Sequence, residues 1–422
     1  MNDKQISWQI SWKVYATVLV AIATGILFRL IFPFDIEYKA DEQWTFEQVR
    51  AILGGAPWPT VGMATSFGPP NPGLSLWFFV GLSWLSGAAT PPTLSQAVQL
   101  LNVTAILALL IFVLARVSFE RRENWLWGAA VWALNPIAIA YERKIWPPSV
   151  LPIFTIAFIA AWWHRRHFWA ALLWGGLGAL MAQLHIGAGF FALAVAGWTA
   201  AADRRTVNWT GWFLGSILGA LPSVPWLLQI QGHVGEFVRL KPPLPLYFLR
   251  WITQSVGFFV NAFSPREFVQ FLSGPILGGI TSFAVLLVHL VLLSLWIWIC
   301  LRALETIRTQ GWPVRKLLLG ESSEWLLINA SLWGYGGVMT LLTIMSIPSP
   351  GNYLIVVAPI MGLWAAMLVA DWATPGNRYL FRKLMAAICV CELLMSAAFL
   401  SFVHQTQIIE GEYGPTWRSQ QK

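Results

Sequence analysis

Asp41 and Glu42 stand side by side in the stretch DIEYKADEQWTFEQV, residues 35–49, and Asp35, Glu37 and Glu47 fall within the same thirteen positions. The whole chain has 19 acidic residues, so this crowding in a charge-poor protein needs a reason. Paired carboxylates can take a proton from a hydroxyl or an amine, or anchor a metal or a hydrogen bond. The plainer alternative is a solvated loop whose acids only help set topology. A second polar knot comes later, where Glu142, Arg143 and Lys144 follow one another in a short loop between apolar segments.

The elements that must position these groups are membrane helices. Hydrophobic residues make up 57% of the chain and charged residues 11%, and the mean hydropathy is +0.61, more apolar surface than a soluble domain can hide. The 27 Trp suit a protein with two water–lipid interfaces. The net charge of +8 does not indicate a nucleic-acid partner, because the Lys and Arg form short clusters between apolar segments instead of one stripe. Cys300, Cys389 and Cys391 lie in or beside apolar segments and read as small core residues. The first apolar segment, Val14 to Phe34, is too long for a signal-peptide core and reads as a retained anchor.

A crossing needs about 20 apolar residues. The pattern predicts an all-α integral membrane protein of about eleven transmembrane helices, near 13–34, 95–115, 125–141, 148–163, 168–184, 186–201, 209–228, 275–300, 324–346, 353–371 and 384–402. Basic clusters at Lys4/Lys13, Arg116/Arg121/Arg122, Arg165/Arg166, Arg204/Arg205, Arg302/Arg308/Arg315/Lys316 and Arg378/Arg382/Lys383 put the N-terminus in the cytoplasm and the C-terminus outside. The apolar piece 73–88 then cannot cross without breaking the alternation, so it reads as a re-entrant or interfacial helix. Residues 1–422 read as one polytopic domain with outer loops at 35–72 and 229–274. Amphipathic juxtamembrane helices are expected in both: Trp44, Val49, Ile52 and Leu53 share one face of the first, and PLYFLRWITQSVGFFV lies along the surface in the second. Two cations, Arg143 and Lys144, on the outer side run against the charge rule, which favours a function for them.

The order of these features resembles the C-type membrane glycosyltransferases, and more narrowly the protein O-mannosyltransferase and aminoarabinose-transferase superfamily. DEQWTFEQVRAILGG resembles that superfamily's acidic motif and following helix. FGPPNPGLSLWFFV resembles its His-Pro-Pro-Leu or Lys-Pro-Pro-Leu motif, and ALNPIAIAYERKIWPPSVLPIF its segment in which a span ends at Pro before an outer Tyr-x-Arg. QLHIGAGFFAL and PSPGNYLIVVAPI are looser likenesses. The likeness is fullest over about residues 10–200, the rest matching only by span pattern, and it implies a catalytic module over about residues 10–230. Three features depart from it: Gly68 stands where the superfamily has His or Lys, QLLNVTAI replaces an Arg-bearing segment, and Pro147, Pro148 and Ser149 occupy the place of a second outer acid.

The resemblance implies an inverting sugar transfer from a polyprenyl-phosphate donor to a lipid, glycan or protein acceptor, on the outer face of what would be a bacterial inner membrane. Asp41 is then the general base and Glu42 its orienting partner. Arg143, Lys144 and Arg29 are the cations expected at the donor phosphate, because a phosphate near lipid needs compensation. Glu142, His185, Pro69, Pro70 and Tyr353 are expected substrate contacts, with ion pairing the plainer role for Glu142, packing for His185 and interfacial anchoring for Tyr353. No cofactor is implied with certainty, and participation of a divalent cation stays open. The alternative class is a lipid or small-solute transporter without chemistry, to which the intramembrane Glu392 would belong; His289 also lies inside a span. A paired repeat and polar, interrupted spans would mark it, and neither is visible.

Overall fold

The computed structural model describes residues 12–64, 70–230, 245–258, 263–277, 280–311, 318–344, 351–411 and 413–421. The chain is helical almost throughout. Helix α1 (Trp12–Leu30) is followed by α2 (Ala40–Leu53), α3 (Leu74–Ser86), α4 (Pro91–Arg116), α5 (Phe119–Leu134) and α6 (Pro136–Tyr141). Then come α7 (Leu151–Trp163), α8 (Phe168–Leu184), α9 (Ile186–Asp203), α10 (Trp209–Ala220), α11 (Val224–Ile230), α12 (Leu246–Ser255) and α13 (Pro265–Ser273). The last five are α14 (Ala284–Gln310), α15 (Ser323–Asn329), α16 (Tyr335–Ile344), α17 (Ala358–Met367) and α18 (Arg378–Thr406). The described strands are two-residue pairs: β1 (Ile276–Leu277) with β2 (Ile280–Thr281), and β3 (Ile408–Ile409) with β4 (Gly414–Pro415).

The protein is an all-α polytopic membrane protein. The segments expected to cross are helical over most of their described residues, except that the one at 275–300 opens with the β1–β2 pair and becomes helical only from Ala284. Eight of these helical segments are long and apolar enough to span a bilayer. The other three differ for local reasons. The 125–141 segment breaks at Asn135 because Pro136 has no amide for the ladder; Asn135 Oδ1 instead accepts from the amides of Ile137 and Ala138, both at 3.1 Å, and starts α6. The other two, Pro147–Trp163 and Phe168–Leu184, are simply shorter apolar helices.

Side-chain contacts sort the helix ends into two groups. At one end, Arg121 pairs with Asp371, Arg165 with Asp203 and Arg382 with Glu123. At the other, Arg29 meets Glu142, the Asn71 side chain accepts from the Ile186 amide, Trp226 donates to the Pro70 carbonyl, and Tyr38 pairs with Pro415. The basic loops therefore gather opposite the acidic loop, as the alternation requires. Both ends of α3 tie to the acidic end. Val61 bridges Pro72 just before it, and after only a short turn Ser95 in the first turns of α4 donates to the Arg143 carbonyl. The chain enters and leaves this short helix at the acidic end, which is the placement of an interfacial helix.

Packing at glycine sets how closely α1 approaches the centre. A Cβ on Gly25 would lie 2.2 Å from the Ala133 carbonyl oxygen, so α1 and α5 touch backbone to backbone. Gly25→Ala must push the helices apart, and overpacking of this kind costs about 1–3 kcal/mol. Gly81→Ala, where a Cβ meets nothing within 4 Å, removes a helix-interior glycine worth about 1 kcal/mol against Ala. Thermal unfolding in detergent should therefore show a lowered Tm for Gly25→Ala and an unchanged or raised Tm for Gly81→Ala.

Candidate active site

The acidic loop is a buried ion network. Asp35, Glu37 and Glu42 are each 3% exposed or less, whereas Asp41 and Glu47 face out. Glu37 lies between two lysines: its Oε1 is 2.8 Å from Lys39 Nζ, and its Oε2 pairs with Lys144. The Lys144 ammonium also lies over the rings of Tyr141, at 4.9 Å, and Trp146, at 5.5 Å, so carboxylate and aromatic faces replace its water shell. Glu42 sits at the third position of α2 and reaches back to the Lys39 amide at 3.3 Å, which turns it inward. Burial, and secondarily the neighbouring Glu37 carboxylate, push the Glu42 carboxyl up to about 8, with Lys144 pulling the other way. Asp41, one residue earlier, is exposed in the first turn of α2, where the helix's positive end favours a carboxylate.

The tripeptide Glu142-Arg143-Lys144 reaches this loop from the other side. Glu142 is fully buried; Arg29 Nε donates to its Oε2 at 2.7 Å and Trp132 Nε1 to its Oε1 at 2.9 Å. Arg29 also donates to the Gly25 carbonyl at 2.9 Å. Arg143 caps α1: Nη1 and Nη2 donate to the Phe28 and Phe32 carbonyls, both at 2.9 Å. Asn102 of α4 fixes the turn by donating to the carbonyls of Glu142, at 3.1 Å, and Ser149, at 2.9 Å.

The structure therefore separates the residues that the sequence grouped. Arg29 and Arg143, expected at a phosphate, direct their terminal nitrogens to backbone carbonyls, and Glu142 pairs with Arg29 instead of Arg143 or Lys144. Lys144 and Glu42 do come together, through Glu37. His185 and Tyr353 are buried against each other with ring centroids 4.8 Å apart, and Tyr335 donates to the Tyr353 carbonyl at 3.3 Å. Pro70 accepts from Trp226 at 2.9 Å, whereas Pro69 lies outside the described residues. Glu392 is buried in α18 near Asn135 and Gly257. His289 makes a 2.8 Å hydrogen bond from Nδ1 to the Val285 carbonyl beside the rings of Phe258 and Phe271. Neither belongs to the acidic loop. Among the described residues, no group of three His, Cys, Asp or Glu is placed to hold a metal. The sequence did not single out Glu37 and Lys39 as partners of Lys144 and Glu42, nor the C-terminal residues that pair with the loop. The one signal was Lys39 set among the five acids.

The fold this arrangement sits in is similar to that of a transferase of known structure. The apo structure of ArnT, the aminoarabinose transferase of Cupriavidus metallidurans, superposes with a TM-score of 0.57 at 13% identity, over 93% of this chain and 76% of that one. The apo oligosaccharyltransferase of Archaeoglobus fulgidus aligns with a TM-score of 0.47 at 12% identity, over 96% of this chain and 57% of its own length. ArnT bound to undecaprenyl phosphate gives 0.45 at 13% identity, over 94% of this chain and 78% of that one. No protein-family model and no curated protein sequence matches the chain.

Two outcomes follow. The unfolded chain releases the Glu42 proton near 4.5 and the folded protein near 8, so between these values the folded state holds a proton that the unfolded state lacks. Stability then falls as pH rises through this window, by up to about 1.4 kcal/mol per unit. Glu42→Gln should flatten that fall, raising Tm above wild type at pH 8 and changing little at pH 4. Removing one partner of the buried Arg29–Glu142 pair strands a charge, so Arg29→Met and Glu142→Leu should each cost roughly 3–5 kcal/mol, with the double variant recovering much of the loss. Chemical unfolding of the three variants checks this.

Proposed function

We propose that the protein is a membrane glycosyltransferase that moves a sugar from a polyprenyl-phosphate donor to an acceptor hydroxyl or amine, with Asp41 as general base. The observation that carries the reading is an exposed carboxylate, Asp41, on the same helical turn as a buried Glu42–Glu37–Lys144 cluster, in a fold shared with ArnT. A base must reach the acceptor proton, and an exposed carboxylate at a helix start can do so. The lost phosphate must be met by positive charge at the membrane edge. Burial pushes the Glu42 carboxyl upward, and Lys39 and Lys144 both face the Glu37 carboxylate. Lys144 is the cation assigned to the phosphate. Arg29 and Arg143 are assigned to the scaffold that holds it.

In the reaction the acceptor oxygen or nitrogen bonds to the anomeric carbon while the bond from that carbon to the phosphate oxygen breaks. The acceptor proton passes to Asp41, and the electron pair leaves with the polyprenyl phosphate, beside Lys144. Attack opposite the leaving phosphate inverts the anomeric centre. The acidic end faces the outside of the membrane in this reading, and the N-terminus lies in the cytoplasm, as the positive-inside rule directs. The buried apolar bundle beneath the site provides the surroundings for the donor's lipid tail.

Wild type and Asp41→Ala in membranes, given radiolabelled undecaprenyl-phosphate sugars, test the proposal. Transfer of label by wild type, and a loss of about 10²–10⁴-fold in Asp41→Ala at equal expression, is the expected result. Equal transfer by both would move the base elsewhere, and no transfer by either across hexoses and pentoses would reject the enzyme reading.

A further inference from the structure

The chain does not leave the bundle after α18. From Gln407 onward it doubles back and lies along residues 34–38, the segment that leads into Asp41 and Glu42. Three backbone hydrogen bonds join the two: Tyr38 N–H to the Pro415 carbonyl at 3.0 Å, Trp417 N–H to Ile36 at 2.9 Å and Arg418 N–H to Phe34 at 3.0 Å. Glu37 forms an isolated antiparallel bridge with Thr416, which is fully buried. The indole of Trp417 meets the ring of Tyr38 edge-on at 4.8 Å, and Gln420 reaches Gln43 of α2 at 3.0 Å.

Asp35 latches the other end of this contact. Its carboxylate, buried in the loop, takes His404 of α18, Gln407 at 3.1 Å and Arg418 at 3.4 Å, and its carbonyl accepts from the Tyr413 hydroxyl at 3.0 Å. Tyr413 is in turn packed on Phe399 of α18. The tail turns tightly to do this, with β3 paired to β4, and Gly414 adopts a positive φ of 80° against the Lys39 side chain.

We infer that this C-terminal strap is a positioning element for the transfer reaction: through Tyr413, Thr416, Trp417 and Arg418 it fixes Asp35 and Glu37, and so sets where the first turn of α2 presents Asp41. The argument is one of length and support. Between the end of α1 at Leu30 and the start of α2 at Ala40 the chain has no regular element of its own. A segment held by side chains alone would sample many conformations. The strap supplies the backbone partners and the isolated bridge that hold it in one conformation. A base displaced by about 1 Å can cost about 10²-fold in rate without loss of substrate binding.

The inference rests on the proposed transferase reading for its kinetic half, so the test has a half that does not. Protein truncated after Thr406 is compared with full-length protein in nanodiscs. Hydrogen exchange should show protection lost in residues 33–53 and retained in the bundle helices, and an added peptide spanning residues 407–421 should restore it. Transfer from undecaprenyl-phosphate sugars should show kcat lowered about 10–100-fold with KM for the donor unchanged, again restored by the peptide. Full-length Trp417→Pro, which removes the amide donor to Ile36 and the indole, should act in the same direction and serves if truncation unfolds the bundle. Unchanged protection of 33–53 in both variants overturns the inference whatever the activity. A raised KM at unchanged kcat also overturns it, making the tail a binding surface. Wild type inactive with every donor, but with strap-dependent protection, would reject the transferase reading and leave the strap's hold on the loop established.

Discussion

Three consecutive side chains, Glu142, Arg143 and Lys144, join α1, α5 and the acidic loop at the acidic end. Glu142 receives Arg29 and thereby fixes the last turns of α1 against α5. Arg143 donates to the Phe28 carbonyl in the last turn of α1 and to the Phe32 carbonyl just beyond it. Lys144 reaches past α1 to Glu37 in the loop beyond. A buried ion costs several kcal/mol to desolvate unless its partners are in place, so each of these contacts demands the others. The tripeptide can meet them only because Asn135 and Pro136 end α5 early and α6 turns the chain, and because Asn102 and Ser95 of α4 hold the following turn from behind.

That constraint explains the crowding of carboxylates in residues 35–47. Three of the five are structural: Asp35 anchors the tail, Glu37 joins Lys39 to Lys144, and Glu42 folds inward beneath them. Their burial leaves Asp41 as the acid at the start of α2 that faces out. The two functions offered for the stretch, topology-setting loop and catalytic site, are therefore both incomplete. Most of its acids build a platform, and one is presented on it.

The fold was largely legible because a membrane span leaves a long, composition-based mark. The apolar segments and the alternation of basic clusters led to the right helices, and the alternation also singled out 73–88 as the piece that stays at one face. Short breaks were less visible: Pro136 signals a stop, yet nothing local says that α6 continues beyond it. The site was only partly legible. Asp41, Glu42 and Lys144 stand out by type and by side of the membrane. The partners of the network do not, because Arg29 and Glu142 are 113 residues apart and Gln43 and Gln420 are 377 apart. An arginine at a membrane edge looks the same in sequence whether it meets a phosphate or a carbonyl, so the contacts of Arg143 with the Phe28 and Phe32 carbonyls leave no mark of their own. The tail's strands, two residues each, are too short to leave a period.

The claim on which the rest depends is that Lys144 and Glu37 are energetically one unit. A double-mutant cycle of Glu37→Gln and Lys144→Met, read by chemical unfolding at pH 7, measures it directly. The account expects both single variants to be destabilised and the double variant to be more stable than their sum by 1 kcal/mol or more, on the order seen for coupled groups in one network. Additivity within about 0.3–0.5 kcal/mol would mean that the two residues act independently, and the platform under Asp41 would then need another foundation.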